Sequence, residues 1–187
     1  MARIAALDPP YEPDVQAQLD TMMPPGVPPI LLFRTFVKNL PMARAMRGWG
    51  GYELSRELSL SMREREIVID RTCARCGCEY EWSVHVLFYA ERVGLTPAQC
   101  SSIVWGDAGD PCWAGARDRL LLRAVDQLHD TSHLDDALWT ELRAELDEAA
   151  LLDLLMLCGW YHAISFAANG ARVPLEAGAP TFAGVGQ

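Results

Sequence analysis

The chain has 187 residues, of which half are apolar and 22% are charged, with a formal net charge of −9 and a pI of about 4.8. This length suits one domain with a sizeable core, and the composition is typical of a soluble globular protein. The acidic balance argues against binding to nucleic acid or to an anionic membrane surface, because both favour basic patches.

The first 29 residues are rich in proline and are predicted to form an N-terminal arm, with residues 30–187 as a single helical domain. Proline lacks an amide donor and disfavours helix at the residue before it, so one short helix at about residues 15–22 is expected in the arm. The start of the sequence lacks the apolar segment and cleavage site of a signal peptide, so we expect a cytoplasmic location.

Helical patterns follow one another along the rest of the chain, and strand signals are essentially absent. Two short helices are expected at residues 30–40 and 42–49, separated at Pro41. Ser61 and Glu64 form a predicted capping box for a helix that runs to about residue 71, before a kink or turn over residues 72–77. Further helices are predicted at about residues 79–92, 97–105, 111–129, 135–146 and 148–169. Thr96 and Asp110 are the predicted N-caps of the second and third of these, and Ser132 and Asp135 form a predicted capping box for the fourth. The predicted fold class is therefore all-α.

The last predicted helix is apolar over nearly the length of a membrane span. Asp153 and His162 lie inside it, and no basic segment follows closely. We therefore expect a buried helix, with a subunit interface as one possible environment, rather than a membrane span.

Residues 62–94 carry most of the side chains that could do chemistry. Cys78, Glu81 and His85 are spaced i, i+3 and i+7, which places them along one face of a helix. Their apolar neighbours indicate that this face points into the protein. Buried ionisable groups are costly unless they are paired, so such clusters often carry shifted pKa values and catalysis.

These residue types suit proton transfer. Cys78 lies at a helix N-terminus, where the helix dipole and free amides favour the thiolate. His85 could assist the thiol or act as acid and base near neutral pH. The carboxylates of Glu66 and Glu81 should differ in protonation, which leaves one as base and the other as proton donor. Decarboxylation of a lactone acid or a β-keto-like acid, or an isomerisation, would follow.

Each of these four residues also has a purely structural interpretation. The alternatives are an ion pair of Glu66 with Arg63 or Arg71, an ion pair of Glu81 with Arg75 or Arg92, an inert buried thiol at Cys78, and a hydrogen-bonded core histidine at His85.

Cys73 and Cys76 have the spacing of a redox pair or of two zinc ligands. With Cys78 and His85 they could complete a Cys3His site. However, no second ligand pair follows, and a helical face is poorly placed to close on the same ion. No metal and no cofactor are therefore predicted.

The other histidines and cysteines are expected to be structural. His129 is predicted to be a surface or capping residue, with contact to the pocket as an alternative, and His162 a hydrogen-bonded core residue. Cys158 is predicted to be a small core residue.

Glu66 is followed by Cys78 after eleven intervening residues, by Glu81 after two more and by His85 after three more. This spacing resembles the signature of the carboxymuconolactone decarboxylase and alkyl hydroperoxidase D-like superfamily. In the peroxidase branch this signature is Glu-x11-Cys-x2-Cys-x3-His. The segments REREIVIDRT, EYEW and GWYHAISFAANGARVPLE are similar to the decarboxylase-like branch. Because Glu81 replaces the second cysteine, this chain cannot form the disulfide through which the peroxidase branch is understood to cycle.

The resemblance implies an alkyl hydroperoxidase D-like helical bundle and an obligate homo-oligomer, with a pocket near a subunit interface lined by Glu66, Cys78, Glu81 and His85. The favoured function is a cofactor-free acid–base enzyme, a carboxymuconolactone decarboxylase-like lyase, acting on a small organic acid or lactone. One alternative is a thiol-dependent peroxidase or oxidoreductase that uses Cys78 with Cys76 or Cys73. The other is a non-catalytic oligomeric binding or scaffold protein. The expected partners are a small-molecule substrate and further copies of this chain.

Overall fold

The computed structural model describes residues 1–186, and Gln187, the last residue of the predicted domain, lies outside them. Every regular element within the described residues is helical, which confirms the predicted all-α fold class. One 3₁₀ turn, Val37–Asn39, joins the second and third helices. The α-helices in chain order are α1 (Pro13–Asp20), α2 (Leu31–Phe36), α3 (Leu40–Glu53), α4 (Met62–Arg75), α5 (Glu79–Tyr89), α6 (Pro97–Trp105), α7 (Ala116–Thr131), α8 (Asp136–Glu145), α9 (Glu148–Ala171) and α10 (Phe182–Val185).

Helix α4 lies at the centre of the domain and packs against α5, α6, α7 and α9. Residues 65–73 of this helix are all buried, which requires neighbours on every side. The side chains of Ile67, Val68 and Ile69 are completely enclosed. Because burying one such side chain stabilises the folded state by about 1.5–3 kcal/mol, α4 contributes a large part of the core.

A buried ion pair holds α4 against α6 and α7. Arg71 donates from Nε and Nη2 to the two carboxylate oxygens of Asp126 on α7, over 2.7 and 2.8 Å. Its Nη1 donates to the carbonyl oxygens of Ile103 and Gly106 at the end of α6, over 2.8 and 3.0 Å. These bonds offset the cost of burying the guanidinium.

Several predicted helix caps are formed. Ser61 and Glu64 make the capping box of α4, and Thr96 caps α6. Asp135 caps α8 as predicted, but Ser132 does not take part. Ser132 instead ends α7 in a left-handed conformation, with φ of 56°.

The turn between α4 and α5 positions the start of α5. The predicted kink over residues 72–77 is only partly correct, because α4 continues to Arg75. Gly77 then adopts φ of +60°, and the amide of Cys78 donates to the carbonyl of Cys73 over 2.8 Å. This is a Schellman-type helix end, in which glycine takes the left-handed position without steric cost.

The boundary predicted at Pro41 is wrong. Asn39 caps α3 by accepting a hydrogen bond from the amide of Met42 over 3.3 Å. Pro41 therefore lies in the first turn, where its missing amide donor is not needed. Helix α3 then continues through Gly50 to Glu53.

The predicted start of α7 at residue 111 is also wrong, because the helix begins at Ala116. The carboxylate of Asp110 accepts hydrogen bonds from the hydroxyl of Ser102, over 2.6 Å, and from the amide of Asp107, over 3.2 Å. It closes a loop after α6 and leaves residue 111 in a turn.

Helix α9 has 24 residues and extends two residues beyond the predicted end, to Ala171. By length and composition it could cross a membrane, but half of its most apolar window is buried inside the domain. Asp153 on its buried side accepts hydrogen bonds from the hydroxyl of Tyr52 and the amide of Ser59, each over 2.7 Å. These contacts are those of a core helix.

The predicted arm, residues 1–29, lies on the helical domain. Its helix α1 begins two residues before the predicted start at residue 15. The side chain of Gln18 donates to the carbonyl of Ala43 on α3 over 3.3 Å. The amide of Arg3 donates to the carbonyl of Ala171 at the end of α9 over 2.8 Å.

Candidate functional site

His85 lies at the centre of a cluster of buried polar side chains from α4, α5 and α9. Its Nδ1 is 2.7 Å from Oε2 of Glu66 on α4. Its Nε2 is 3.1 Å from the hydroxyl oxygen of Tyr161 on α9 and 3.6 Å from Oε1 of Glu81, one turn earlier on α5. Both ring nitrogens therefore face groups that can exchange protons with them.

Glu66 is completely buried and is held by two partners. Oε2 faces His85, and Oε1 accepts from Nε of Arg65 over 2.8 Å and pairs with its Nη2 at 2.6 Å. The alternative of an ion pair with Arg63 or Arg71 is therefore not realised, and Glu66 pairs with Arg65 instead. Because both carboxylate oxygens are engaged, Glu66 is placed to orient and charge the imidazole.

Aspartates on α7 bind Arg63 and Arg71, the two arginines considered as alternative partners of Glu66. Nη2 of Arg63 donates to Asp118 over 2.9 Å, while Arg71 binds Asp126. The choice among these arginines depends on which side of α4 faces α5 and which faces α7.

The surroundings of His85 favour its protonated form. Burial by itself lowers the pKa of His85, but the charge and hydrogen bond of Glu66, together with those of Glu81, outweigh it and hold this pKa well above its ordinary value. The imidazole is therefore an imidazolium near neutral pH, with two N–H donors.

Glu81 is buried beside His85, and its Oε2 has no hydrogen-bond partner among residues 1–186. The alternative of an ion pair with Arg75 or Arg92 is not realised. Arg75 pairs with Asp126 and Asp130 on α7, whereas Arg92 lies over the ring of Tyr89. An unpaired buried acceptor costs free energy unless a ligand satisfies it, so this oxygen is suited to contact a substrate.

Cys78 is fully buried at the N-cap position of α5. Burial raises the pKa of its thiol to about 11, and the carboxylate of Glu81 adds to this, whereas the backbone amide of Glu81 acts in the opposite direction. The thiolate expected from the helix N-terminus is therefore not favoured, because desolvation outweighs the dipole.

Three members of the cluster were not predicted from the sequence: Arg65, Tyr161 and Asp70. Arg65 and Tyr161 stand in quoted segments, but no spacing linked them to His85. Asp70 lies one turn after Glu66 on α4, and neither of its carboxylate oxygens has a partner within residues 1–186. Burial, and then the charge of Glu66, raise the pKa of Asp70 well above its ordinary value. Its surroundings therefore favour the neutral form of this acid.

The remaining candidate ligands separate into two groups. All six cysteines are free. Cys73 is buried, with its sulfur 3.9 Å from the hydroxyl oxygen of Ser165 on α9. Cys76 is half-buried and faces His129 and His162 instead. The Cys3His arrangement with Cys78 and His85 is therefore not formed. His162 is hydrogen-bonded as expected, although it is only half-buried.

A described cavity lies away from His85. Its volume is about 730 Å³, and it is lined by residues of α7, of α8 and of the loop that follows α6. None of the four predicted site residues lines it. Within one chain these four side chains are enclosed, with exposed fractions of 0% for Glu66 and Cys78, 7% for Glu81 and 4% for His85.

Residues 41–126 match the family model described as Carboxymuconolactone decarboxylase family. The predicted resemblance to this family is confirmed. The matched segment contains Glu66, Cys78, Glu81 and His85, but it ends before Tyr161.

A solved structure shows the same fold over nearly the whole chain. It is the crystal structure of an uncharacterized peroxidase-related protein from Silicibacter sp. TM1040, with 18% sequence identity, a TM-score of 0.78 and 93% of each chain covered. No curated protein matches this chain. The comparisons thus show a resemblance to this family over residues 41–126 and the same helical fold over nearly the whole chain.

Proposed function

We propose that this carboxymuconolactone decarboxylase-like protein is a cofactor-free acid–base enzyme acting on a small organic acid or lactone. The observation that carries the proposal is the position of His85. Its two nitrogens lie 2.7 Å from Glu66 and 3.1 Å from Tyr161, beside the unpaired Oε2 of Glu81. The arrangement provides a proton donor and a proton acceptor in one enclosed, polar cluster.

Each side chain has a distinct part in this proposal. Glu81 is the base, because its Oε2 has no protein partner. His85 is the acid, and Glu66 is a positioning residue that keeps the imidazole charged and oriented. Cys78 stays a neutral thiol that lines the site. General acid–base assistance of this kind is worth about 10²–10⁴-fold in rate.

The proposed chemistry needs no external oxidant. In a decarboxylation, the bond to the carboxylate carbon breaks, CO2 leaves, and the electron pair moves to the carbonyl oxygen as an enolate beside the His85 imidazolium. His85 then donates a proton to the carbon that carried the carboxylate, and the imidazole regains a proton from solvent. In an isomerisation, Glu81 removes a proton next to the carbonyl group, and the proton returns at another carbon of the conjugated system. Water exclusion around the cluster strengthens these charge interactions.

Access to the site is proposed to depend on oligomer formation. Helix α9, which carries Tyr161, has exposed Leu152, Met156 and Phe166, and α5 has an exposed Leu87. A second copy of this chain on these apolar faces would place the pocket near a subunit interface. A cytoplasmic location is part of the same proposal.

A panel of carboxylated lactones and β-keto acids tests this function. The protein is incubated with each compound in D2O, and proton NMR follows decarboxylation, isomerisation and deuterium exchange next to the carbonyl. We expect at least one compound to react, and Glu81→Gln to lower the rate by about 10²–10⁴-fold. Glu91→Gln, an exposed change after α5, is the matched control and should leave the rate unchanged.

A thiol peroxidase is the second candidate. The chain reversal after α4 brings Cys73 and Cys78 together, with a backbone hydrogen bond of 2.8 Å between them. The description of the structural relative as peroxidase-related also supports the peroxidase candidate. Peroxide consumption that is lost in Cys78→Ser, with a disulfide mapped to Cys73 or Cys76, would favour it. Inactivity in both assays would favour the oligomeric scaffold.

A further inference from the structure

A second cluster of potential ligands lies outside the His85 site. It combines Cys76, at the end of α4, with His129, in the last turn of α7, and His162, on α9. The sulfur of Cys76, Nδ1 of His129 and Nε2 of His162 all lie within 4.8 Å of one another. The two nitrogens are 3.0 Å apart, and the sulfur is 3.9 Å from Nδ1 of His129.

We propose that Cys76, His129 and His162 bind a transition-metal ion of the Zn²⁺ class. The donor set of one thiolate and two imidazoles suits a borderline-soft cation. In a tetrahedral zinc site the ligand nitrogens are about 3.3 Å apart, and a sulfur and a nitrogen are about 3.6 Å apart. The N–N separation of 3.0 Å and the S–N separation of 3.9 Å to His129 are each within a few tenths of an ångström of these values, and the third separation is at most 4.8 Å. A metal could therefore enter with side-chain adjustments.

The surrounding contacts hold two of the three ligands, His162 and Cys76. Nδ1 of His162 donates to the carbonyl oxygen of Cys158 over 2.8 Å, which leaves the lone pair of Nε2 free to face the cluster. The side chain of Asn169 donates to the carbonyl oxygen of Cys76 over 3.0 Å. Hydrogen bonds from a ligand histidine to a backbone carbonyl are a common feature of metal sites, because they fix the ring and its tautomer.

The electrostatics of the cluster suit a cation. Arg75, the neighbour of Cys76 in the chain, is a positive charge beside the cluster. The charge of Arg75 is offset by its pairing with Asp126 and Asp130. Three protein ligands leave the fourth coordination position open for water or a small ligand.

A hydrogen bond between the two imidazoles is the competing explanation for their contact. In that case Nδ1 of His129 donates a proton to Nε2 of His162. A metal would replace this proton and also remove the proton of the Cys76 thiol, whose pKa is raised by burial. The two explanations differ in whether the thiol takes part.

Binding is tested on the metal-free, reduced full-length chain. Calorimetric titration with Zn²⁺ should show one ion per chain, and Co²⁺ should give a tetrahedral visible spectrum with a thiolate-to-cobalt charge-transfer band. Cys76→Ser should abolish that band, and His162→Gln should weaken Zn²⁺ binding by at least about 100-fold. Zn²⁺ should also protect Cys76 from alkylation in the unaltered protein, a measurement that needs no variant.

Two control variants separate this site from adventitious binding. His133→Gln removes an exposed histidine near His129, and Cys112→Ser removes another half-buried thiol. Both should bind Zn²⁺ like the parent protein. The proposal is overturned if the parent shows no stoichiometric binding, if its Co²⁺ spectrum lacks the thiolate band, or if His162→Gln binds as tightly as the parent.

Discussion

Nδ1 of His85 lies 2.7 Å from Oε2 of Glu66, a residue 19 positions earlier in the chain, and both side chains are buried. The turn at Gly77 sets α5 beside α4, so that the two residues meet at the helix interface. The contact makes the imidazole cationic and leaves its second nitrogen for Tyr161 and Glu81.

Glu66→Gln should destabilise the protein strongly. The change leaves the buried guanidinium of Arg65 without its carboxylate, and breaking one side of a buried ion pair typically costs about 3–5 kcal/mol. Urea unfolding at pH 7 would measure the free energy of unfolding. Glu57→Gln, an exposed control before α4, should change it by less than about 0.5 kcal/mol. A loss no larger than that of the control would contradict a structural role for Glu66.

The stabilising contribution of His85 should depend on pH. Because the pKa of His85 is higher in the folded than in the unfolded protein, folding is coupled to proton uptake. The contribution is fully present below the unfolded value of about 6.5 and is lost as pH rises through the folded value. The difference in unfolding free energy between the parent and His85→Gln should therefore shrink from pH 6 towards alkaline pH. His133→Gln, the exposed control, should show no such trend.

Asp70→Asn should preserve or increase stability at neutral pH. The pKa of Asp70 is raised by burial, so the folded state resists ionisation that the unfolded state undergoes above about pH 3.9. The parent consequently loses stability as pH rises from 4 towards the folded value, by up to about 1.4 kcal/mol per pH unit. Unfolding of both proteins at pH 4 and pH 7 measures the difference between their free energies of unfolding, which should widen as pH rises. Asp20→Asn is an exposed control.

Cysteine alkylation should follow exposure and thiol pKa. In the metal-free protein at pH 8, the half-buried Cys76 and Cys112 should react with iodoacetamide before Cys78 and Cys100, which are buried and whose pKa values are raised to about 11. Mass spectrometry of peptides over time gives the order. If Cys78 reacts first, its thiolate is more accessible than the structure indicates, and the peroxidase candidate gains support.

The helices, and the placement of the candidate site residues on α4 and α5, are predictable from the sequence. Capping residues such as Ser61 and Asp135, and the spacing of Cys78, Glu81 and His85, act within a few residues of one another. Local hydrogen bonds and helical periodicity are therefore enough to predict them. The break placed at Pro41 failed because a proline is tolerated in the first turn of a helix.

The groups that these side chains contact depend on tertiary packing. Arg65 rather than Arg63 or Arg71 pairs with Glu66, and Tyr161 reaches His85 from a helix 76 residues away in the chain. The packing of helices also raises the pKa of Cys78 and brings Cys76 to two histidines that are distant in the chain. Burial and partner choice depend on how whole helices pack, and the periodicity of a single segment carries no information about the helix that will cover it.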